Sequence, residues 1–440
     1  MCKKVYYAGV LLVISVFFIF SCNQQPKEPL VITGEDLHIA MQDLSDVIVH
    51  DIFSPPVASR VYAYPSIAAY EIMVLNDENY KSLAGQLNGL TPIPQPQGEI
   101  NKELAALSAF YSLSSTLIFS EDLMDSSWMK LKKKVENSNI SGEVLDNTLK
   151  YGEAVAVHIR NWMDKDNYKQ TRTYPKFTIT DDERRWIPTP PAYIEAIEPH
   201  WSQIRPFVID SANQFVPERP TDYNMEEGSD FYKETMEVYN VAKNLTAEQS
   251  EIASFWDCNP YVMNVKGHVM FATKKITPGG HWVGIVKIAC QNEKADLTKS
   301  SAAYAMTSIA LMDGFISCWD EKFRSNLVRP ETVINKYIDE EWAPLLQTPP
   351  FPEYTSGHSV ISSAAGTVLT SIFGDNFHFI DSTEVQYGLP AREFNSFKDA
   401  YNEAAISRLY GGIHYMPAIE NGVKQGEALG EYILGKISIH

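Results

Sequence analysis

Three clusters of cationic, hydroxyl and imidazole side chains follow one another in the last third of the chain, and each suits an oxyanion. Lys322 is followed seven residues later by Arg329-Pro330. Seven residues is nearly two helical turns, so the two cations share a face if a helix runs that far. Pro330 sets Arg329 beside a helix end, and two like charges so placed repel unless an anion lies between them. Next, Tyr354-Thr355-Ser356-Gly357-His358 leads into an apolar helical run from Val360 to Ile372. A serine and a glycine at a helix start offer a hydroxyl, unpaired amides and a favourable dipole to an anion. His358 beside them can move a proton near neutral pH. Last comes Ser407-Arg408-Leu409-Tyr410-Gly411-Gly412-Ile413-His414. Arg408 falls in the last turn of a helix that the glycine pair can end. Its planar fork suits tetrahedral oxyanions, and His414 offers a nitrogen for coordination or covalent attack.

Taken singly, each cluster has an ordinary structural explanation: a solvated basic face, a serine-capped helix, a glycine-terminated one. Taken together, Lys-x6-Arg-Pro, then Ser-Gly-His, then Ser-Arg-x5-His resembles the signature of the vanadium-dependent haloperoxidase and type-2 phosphatidic acid phosphatase superfamily. Further likeness to bacterial haloperoxidase-like members lies in Ser54-Pro55-Pro56 with Arg60, and in Trp186 with Pro188-Thr189-Pro190-Pro191. It lies also in Thr246, Trp256 and Pro278-Gly279-Gly280-His281-Trp282, so the resemblance spans nearly the whole mature chain. It implies an all-α fold of two packed helical bundles, and vanadate as cofactor. Lys322, Arg329 and Arg408 would neutralise its oxygens, while Ser356 and the Gly357 amide hydrogen-bond them. His414 would bind the vanadium and His358 would serve as acid or base, with Lys322 polarising bound peroxide. Trp319 and Phe351 match pocket-wall positions. Two positions depart from the pattern. Thr355 stands where a proline usually precedes Ser-Gly-His, and Ala418 stands where many members carry an aspartate that orients the metal-binding histidine. Glu420 is the carboxylate considered as a substitute.

The activity implied is oxidation of halide by hydrogen peroxide at bound vanadate. Phosphate and vanadate share tetrahedral shape, so the same residues also suit a phosphatase, acting on phosphomonoesters or lipid phosphates through a phosphorylated His414. A reading from another class, a helical glycan-binding lipoprotein with an aromatic sugar platform, gives no reason for three cations to converge on two histidines.

Helical periodicity must supply the scaffold. Leu37, Ala40, Leu44, Val47 and Ile48 mark one amphipathic helix, and others are predicted near 57–75, 101–118, 122–137 and 145–164. From about 167 to 230 prolines and aromatics replace the periodicity, which predicts an ordered irregular excursion. Thr246 with Gln249 reads as a capping box opening a helix through Trp256. Further helices are predicted near 282–293, 297–318, 358–373, 383–410 and 419–434, and no strand of useful length. The division expected is an N-terminal helical region, 35–245, continuous with a C-terminal bundle, 246–440, that carries the site.

The chain's 440 residues suffice for a large core, and 45% hydrophobic and 21% charged residues are ordinary globular values. A net charge of −18 argues against a nucleic-acid surface. Residues 1–21 read as a signal peptide: Lys3 and Lys4, then an apolar run from Val10 to Phe20, too short for a membrane span. Ser21-Cys22 resembles a lipobox, predicting a diacylated Cys22 and a polar tether over 22–34 on the exported face of a bacterial envelope; the alternative is an uncleaved anchor. Cys258, Cys290 and Cys318 form no C-x-x-C pair, so spacing supports no zinc or redox site, and buried inert thiols are expected.

Overall fold

Side-chain caps set most of the helix starts. Ser54, Asn101, Ser141, Ser229, Thr246, Thr277, Asp296, Ser356 and Ser396 each accept a hydrogen bond from the amide three residues on, satisfying one donor that the helix itself leaves unpaired. The computed structural model describes residues 27–440 apart from Tyr261 and Gly267, so the expected signal peptide and Cys22 lie outside the described residues.

The elements run α1 (Gly34–His50), α2 (Pro55–Met73), α3 (Lys102–Ser115), α4 (Glu121–Glu136), α5 (Gly142–Met163), α6 (Tyr168–Thr171), α7 (Asp230–Lys243), α8 (Ala247–Phe255), β1 (Met263–Lys266), β2 (Val269–Ala272), α9 (Pro278–Glu293), α10 (Leu297–Ser325), α11 (Pro330–Tyr337), α12 (Gly357–Phe373), β3 (Phe379–Asp381), β4 (Arg392–Phe394), α13 (Phe397–Tyr410) and α14 (Met416–Lys436). The periodic segments of the first half form α1 to α5 with their ends shifted by a few residues. Thr246 and Gln249 make the predicted capping box of α8.

The fold is all-α as expected, and the strands among the described residues are only two short antiparallel hairpins, β1 with β2 and β3 with β4. Two expectations are corrected. The helix expected over 383–410 begins only at Phe397, because the hairpin occupies the preceding stretch. α10 ends at Ser325, where Asn326 turns left-handed with φ of 48°. Arg329 therefore shares no helical face with Lys322; it is the extended residue before Pro330 opens α11. Within the stretch expected as a tether, the Glu28 carbonyl accepts from the Asn139 amide at 2.9 Å and Ile32 joins the core.

α10 is the central rod, roughly 40 Å long at 1.5 Å per residue and buried along most of its length. It packs on α2, α9 and α12, while α13 and α14 pack on α12. α14 lies close on α12 because Gly422, Gly426 and Gly430 recur every fourth residue. A Cβ at Gly426 would stand 2.1 Å from the Val360 carbonyl oxygen.

The irregular excursion is ordered and packs against α10. Asp313 of α10 accepts three successive amides from it, those of Phe207, Val208 and Ile209, at 2.7, 2.8 and 3.1 Å. Trp186 and Trp201, both part of it, are buried. Arg60, part of the family likeness, pairs with Asp166 at 2.6 Å and is structural.

Candidate active site

α12 brings its first turn to the end of α10. Ser356 caps it through the Ser359 amide at 3.3 Å, and Thr355 ties that turn to the bundle. The Thr355 hydroxyl donates to Gln425 of α14 at 2.7 Å, and the Gln425 amide donates to Ser317 of α10 at 3.0 Å. A proline at 355 would lack the hydroxyl that makes the first of these bonds. Gly357 lies on Trp319 and Lys322, where a Cβ would make only ordinary contact, at 3.8 and 3.9 Å.

Arg408 ends α13, Gly412 turns with φ of 76°, and the chain folds back to present His414. Gly357, His358, Arg408 and His414 line one small cavity together with the expected wall residues Trp319 and Phe351; Pro55, Cys258, Asn259 and Pro278 complete much of the rest. Its volume of about 40 Å³ is roughly three times what one water needs. Larger hollows, such as that beside Tyr174 and Glu195, lack the two histidines and buried arginines.

Lys322, Arg329 and Ser356 lie one layer behind this wall and are fully buried. Lys322 points its ammonium at the carbonyls of Pro352 (3.0 Å), Glu353 (3.1 Å) and Thr355. Lys322 and Arg329 also sit over the Phe351 ring, at 5.1 and 5.2 Å from its centre, a favourable cation–π placement. Arg329 donates to the carbonyls of Phe351 (2.9 Å) and Ile413 (2.8 Å) and to His414 Nε2 at 3.1 Å. Arg408 donates to the Trp256 carbonyl at 2.7 Å and to the Ser407 hydroxyl at 2.9 Å.

His414 is oriented by a residue that the sequence reading missed. Its Nδ1 lies 2.7 Å from Glu353 Oε1, which also accepts the Tyr415 amide at 3.0 Å. Glu353 is fully buried, whereas Glu420 is exposed and cannot take this role. Ala418 contributes only its carbonyl, to the Ser356 amide at 3.0 Å. The available signal was that Glu353 is the one acid between Phe351 and His358.

Burial dominates the electrostatics. His414 is held well below its ordinary pKa by desolvation, then by Arg329, Lys322 and Arg408. His358 is lowered likewise by desolvation and then by Arg408. Both imidazoles are therefore neutral. With Nδ1–H donated to Glu353, His414 keeps a lone pair on Nε2. Trp256 backbone hydrogen-bonds the His358 ring, and His358 Nε2 is buried without a partner, as is Arg329 Nη2. Buried polar atoms are rarely left unpaired. Two such atoms, with cations and helix-start amides around a neutral histidine nitrogen, fit a tetrahedral oxyanion such as vanadate.

The fold and this cluster define a class: helical-bundle proteins that hold an oxyanion between an arginine-rich wall and a histidine nitrogen. A family model described as the second helical-bundle domain of VCPO matches residues 335–439. The solved structure of a bacterial vanadium-dependent iodoperoxidase is 56% identical, with a TM-score of 0.89, over 94% of this chain and 99% of that one. The chain belongs to the vanadium-dependent haloperoxidase family. Holo-type and apo-type structures of a bacterial vanadium-dependent chloroperoxidase, both 16% identical, share the fold with TM-scores of 0.67 and 0.68. They cover 88% and 87% of this chain, and 93% and 94% of theirs. No match is found among curated proteins.

Proposed function

We propose that the chain is a vanadium-dependent haloperoxidase that holds vanadate at His414 and uses hydrogen peroxide to oxidise halide, with iodide as the halide of choice. The observation that carries this is the neutral His414 on the cavity wall, its Nε2 accepting from Arg329 and its Nδ1 held by Glu353. The 56% identity to a structure named an iodoperoxidase supports iodide.

Vanadate supplies Lewis acidity toward peroxide without itself changing oxidation state. The chain's own residues do the rest. Arg329 and Arg408 offset the negative charge of the oxyanion, and Ser356 and the first amides of α12 offer hydrogen bonds at the positive end of the helix dipole. Lys322 adds positive charge beneath Gly357. His358, neutral and with Nε2 free, takes up or returns a proton at the cavity wall. Trp319 and Phe351, with ring centres 4.9 Å apart, keep bulk water from the far side, where Trp319 is pinned by its Nε1 donating to the Ile197 carbonyl at 3.1 Å.

The relatives matched are haloperoxidases, so the phosphatase and glycan-binding readings are not favoured. The test is reconstitution. Vanadate-free protein is incubated with orthovanadate, then assayed for peroxide-dependent oxidation of iodide and bromide beside phosphate-ester hydrolysis. Halide oxidation is expected, and His414→Ala, still folded by circular dichroism, should lose it. Oxidation surviving in that variant would remove His414 from the mechanism.

We further propose that the chain is exported and tethered by acylation of Cys22. No helix among the described residues is long and apolar enough to cross a membrane. Cys22→Ala should move the protein from the membrane fraction to the soluble one, and an unchanged distribution would reject the anchor.

A further inference from the structure

Behind the cavity wall lies a second cluster that the oxyanion chemistry does not use. Cys258, on the turn after α8, brings Sγ to 3.4 Å from His281 Nδ1 and 3.8 Å from Glu384 Oε1. His281, in the first turn of α9, has the same Nδ1 3.2 Å from Glu384 Oε1. All three residues are buried. On the other side of the ring, His281 Nε2 lies 2.7 Å from Asp381 Oδ2, and Asp381 is fully buried. The Trp256 ring stacks over the imidazole at 4.4 Å.

We propose that Cys258 Sγ, His281 Nδ1 and Glu384 Oε1 are three ligands of a divalent zinc-class ion. The distances carry the argument. Zinc binds thiolate at about 2.3 Å and imidazole nitrogen or carboxylate oxygen at about 2.0–2.2 Å in a tetrahedron. Ligand atoms on such a tetrahedron are roughly 3.3–3.7 Å apart by simple trigonometry. The three edges here, 3.2, 3.4 and 3.8 Å, close that face with little movement.

The surroundings match as well. A metal-binding histidine ordinarily donates its other ring N–H to a carboxylate, and Asp381 provides it. Asp381 is itself held by the Thr383 amide at 3.0 Å and the Thr383 hydroxyl at 2.7 Å. With Nε2–H given to Asp381, the Nδ1 lone pair faces a carboxylate oxygen at 3.2 Å. That contact is repulsive unless a cation or a proton lies in it. In the protonated alternative, an imidazolium between two carboxylates, Cys258 Sγ would only accept a hydrogen bond from Nδ1, and coordination by the thiolate is what separates the two. Spacing along the sequence could not reveal the site, because its ligands come from positions 258, 281 and 384.

The ion would clamp the turn after α8 to α9 and to the segment after β3. That turn carries the Trp256 carbonyl that anchors Arg408, and Cys258 also lines the cavity. The site therefore stiffens one wall of the oxyanion pocket while standing apart from it.

The test leaves vanadate out, so it does not depend on the proposed activity. Metal-depleted full-length protein is titrated with Co2+, followed by absorbance, and metal content after washing is measured by plasma mass spectrometry. One ion per chain is expected, with a near-ultraviolet thiolate-to-cobalt band that Zn2+ displaces. Cys258→Ser should abolish the band with the fold retained. Glu384→Gln, nearer the edge of the core, is the second variant should Cys258→Ser misfold, and it should weaken retention. Asp381→Asn should lower affinity by about 10–100-fold, the usual cost of removing a partner that orients a ligand. Absence of the band in the wild type, or uptake that Cys258→Ser and Glu384→Gln leave unchanged, would overturn the site and leave His281 as a buried imidazolium.

Discussion

Glu353 Oε1 lies 2.7 Å from His414 Nδ1 and supplies, from three residues before Ser356, the carboxylate that Ala418 cannot supply from four residues after His414. The pairing fixes the ring and keeps the lone pair on Nε2, where it accepts from Arg329 at 3.1 Å. Glu353→Gln keeps the shape and an acceptor but removes the charge. Substitutions of this kind cost about 10–100-fold in metal affinity. The vanadate concentration for half-maximal reconstitution of halide oxidation should rise by that factor, with helical content unchanged. Reconstitution at the wild-type concentration would reduce Glu353 to a packing role.

The buried ammonium of Lys322 makes a prediction about pH. Burial, aided by Arg329, pushes it down to about 7 in the ligand-free fold, against about 10.4 in an unfolded chain. Between these values the unfolded chain holds a proton that the folded one has released, so stability rises with pH across that window. Below about 7 both states are protonated, and the burial penalty is felt in full. Lys322→Met removes the titration. In vanadate- and phosphate-free buffer, the urea midpoint of wild type relative to Lys322→Met should climb from pH 7 toward pH 10. A flat difference would contradict the shift.

Much of the site was legible because its parts are local. Ser356 as a helix cap, Arg408 before a glycine pair, and His414 after it each follow from neighbours in sequence, and the structure places them accordingly. What was illegible depends on folding back. Lys322 and Arg329 are brought near each other by the left-handed turn at Asn326 and a second helix start at Pro330, whereas a continuous helix was the simpler reading. Glu353 reaches His414 across sixty-one positions, which no local pattern encodes. The β3–β4 hairpin was hidden because its two strands are three residues each, below the length at which alternation shows.

The α12–α14 crossing predicts opposite outcomes at two glycines of one helix. At Gly426 an added Cβ would lie 2.1 Å from both the Val360 carbonyl oxygen and Ser363 Oγ, while at Gly435 nothing lies within 4 Å. Gly426→Ala should therefore push α14 off α12 and cost about 1–3 kcal/mol or more, as overpacking does. Gly435→Ala should be neutral or stabilise by up to about 1 kcal/mol, since alanine favours a helix over glycine. Chemical denaturation of the two variants side by side decides it. Equal effects would mean that the close approach is not required.

Asp313 predicts how the excursion is held. Its two oxygens take the amides of Phe207, Val208 and Ile209, fastening the irregular segment to the central rod from a fully buried position. Asp313→Ala leaves three buried donors without an acceptor, each worth about 1–3 kcal/mol, so a loss of at least about 3 kcal/mol is expected. Asp313→Asn presents one acceptor oxygen beside an amide that repels the remaining donors, and should fall between. Because the contacts are concentrated on one short stretch, the segment should come loose before the bundle does. Limited proteolysis of Asp313→Asn should cut within 167–230 under conditions that leave the wild type intact, while the helical signal persists. If cleavage there and loss of helix coincide, the excursion is part of the same cooperative unit as α10, and Asp313 is one core contact among many.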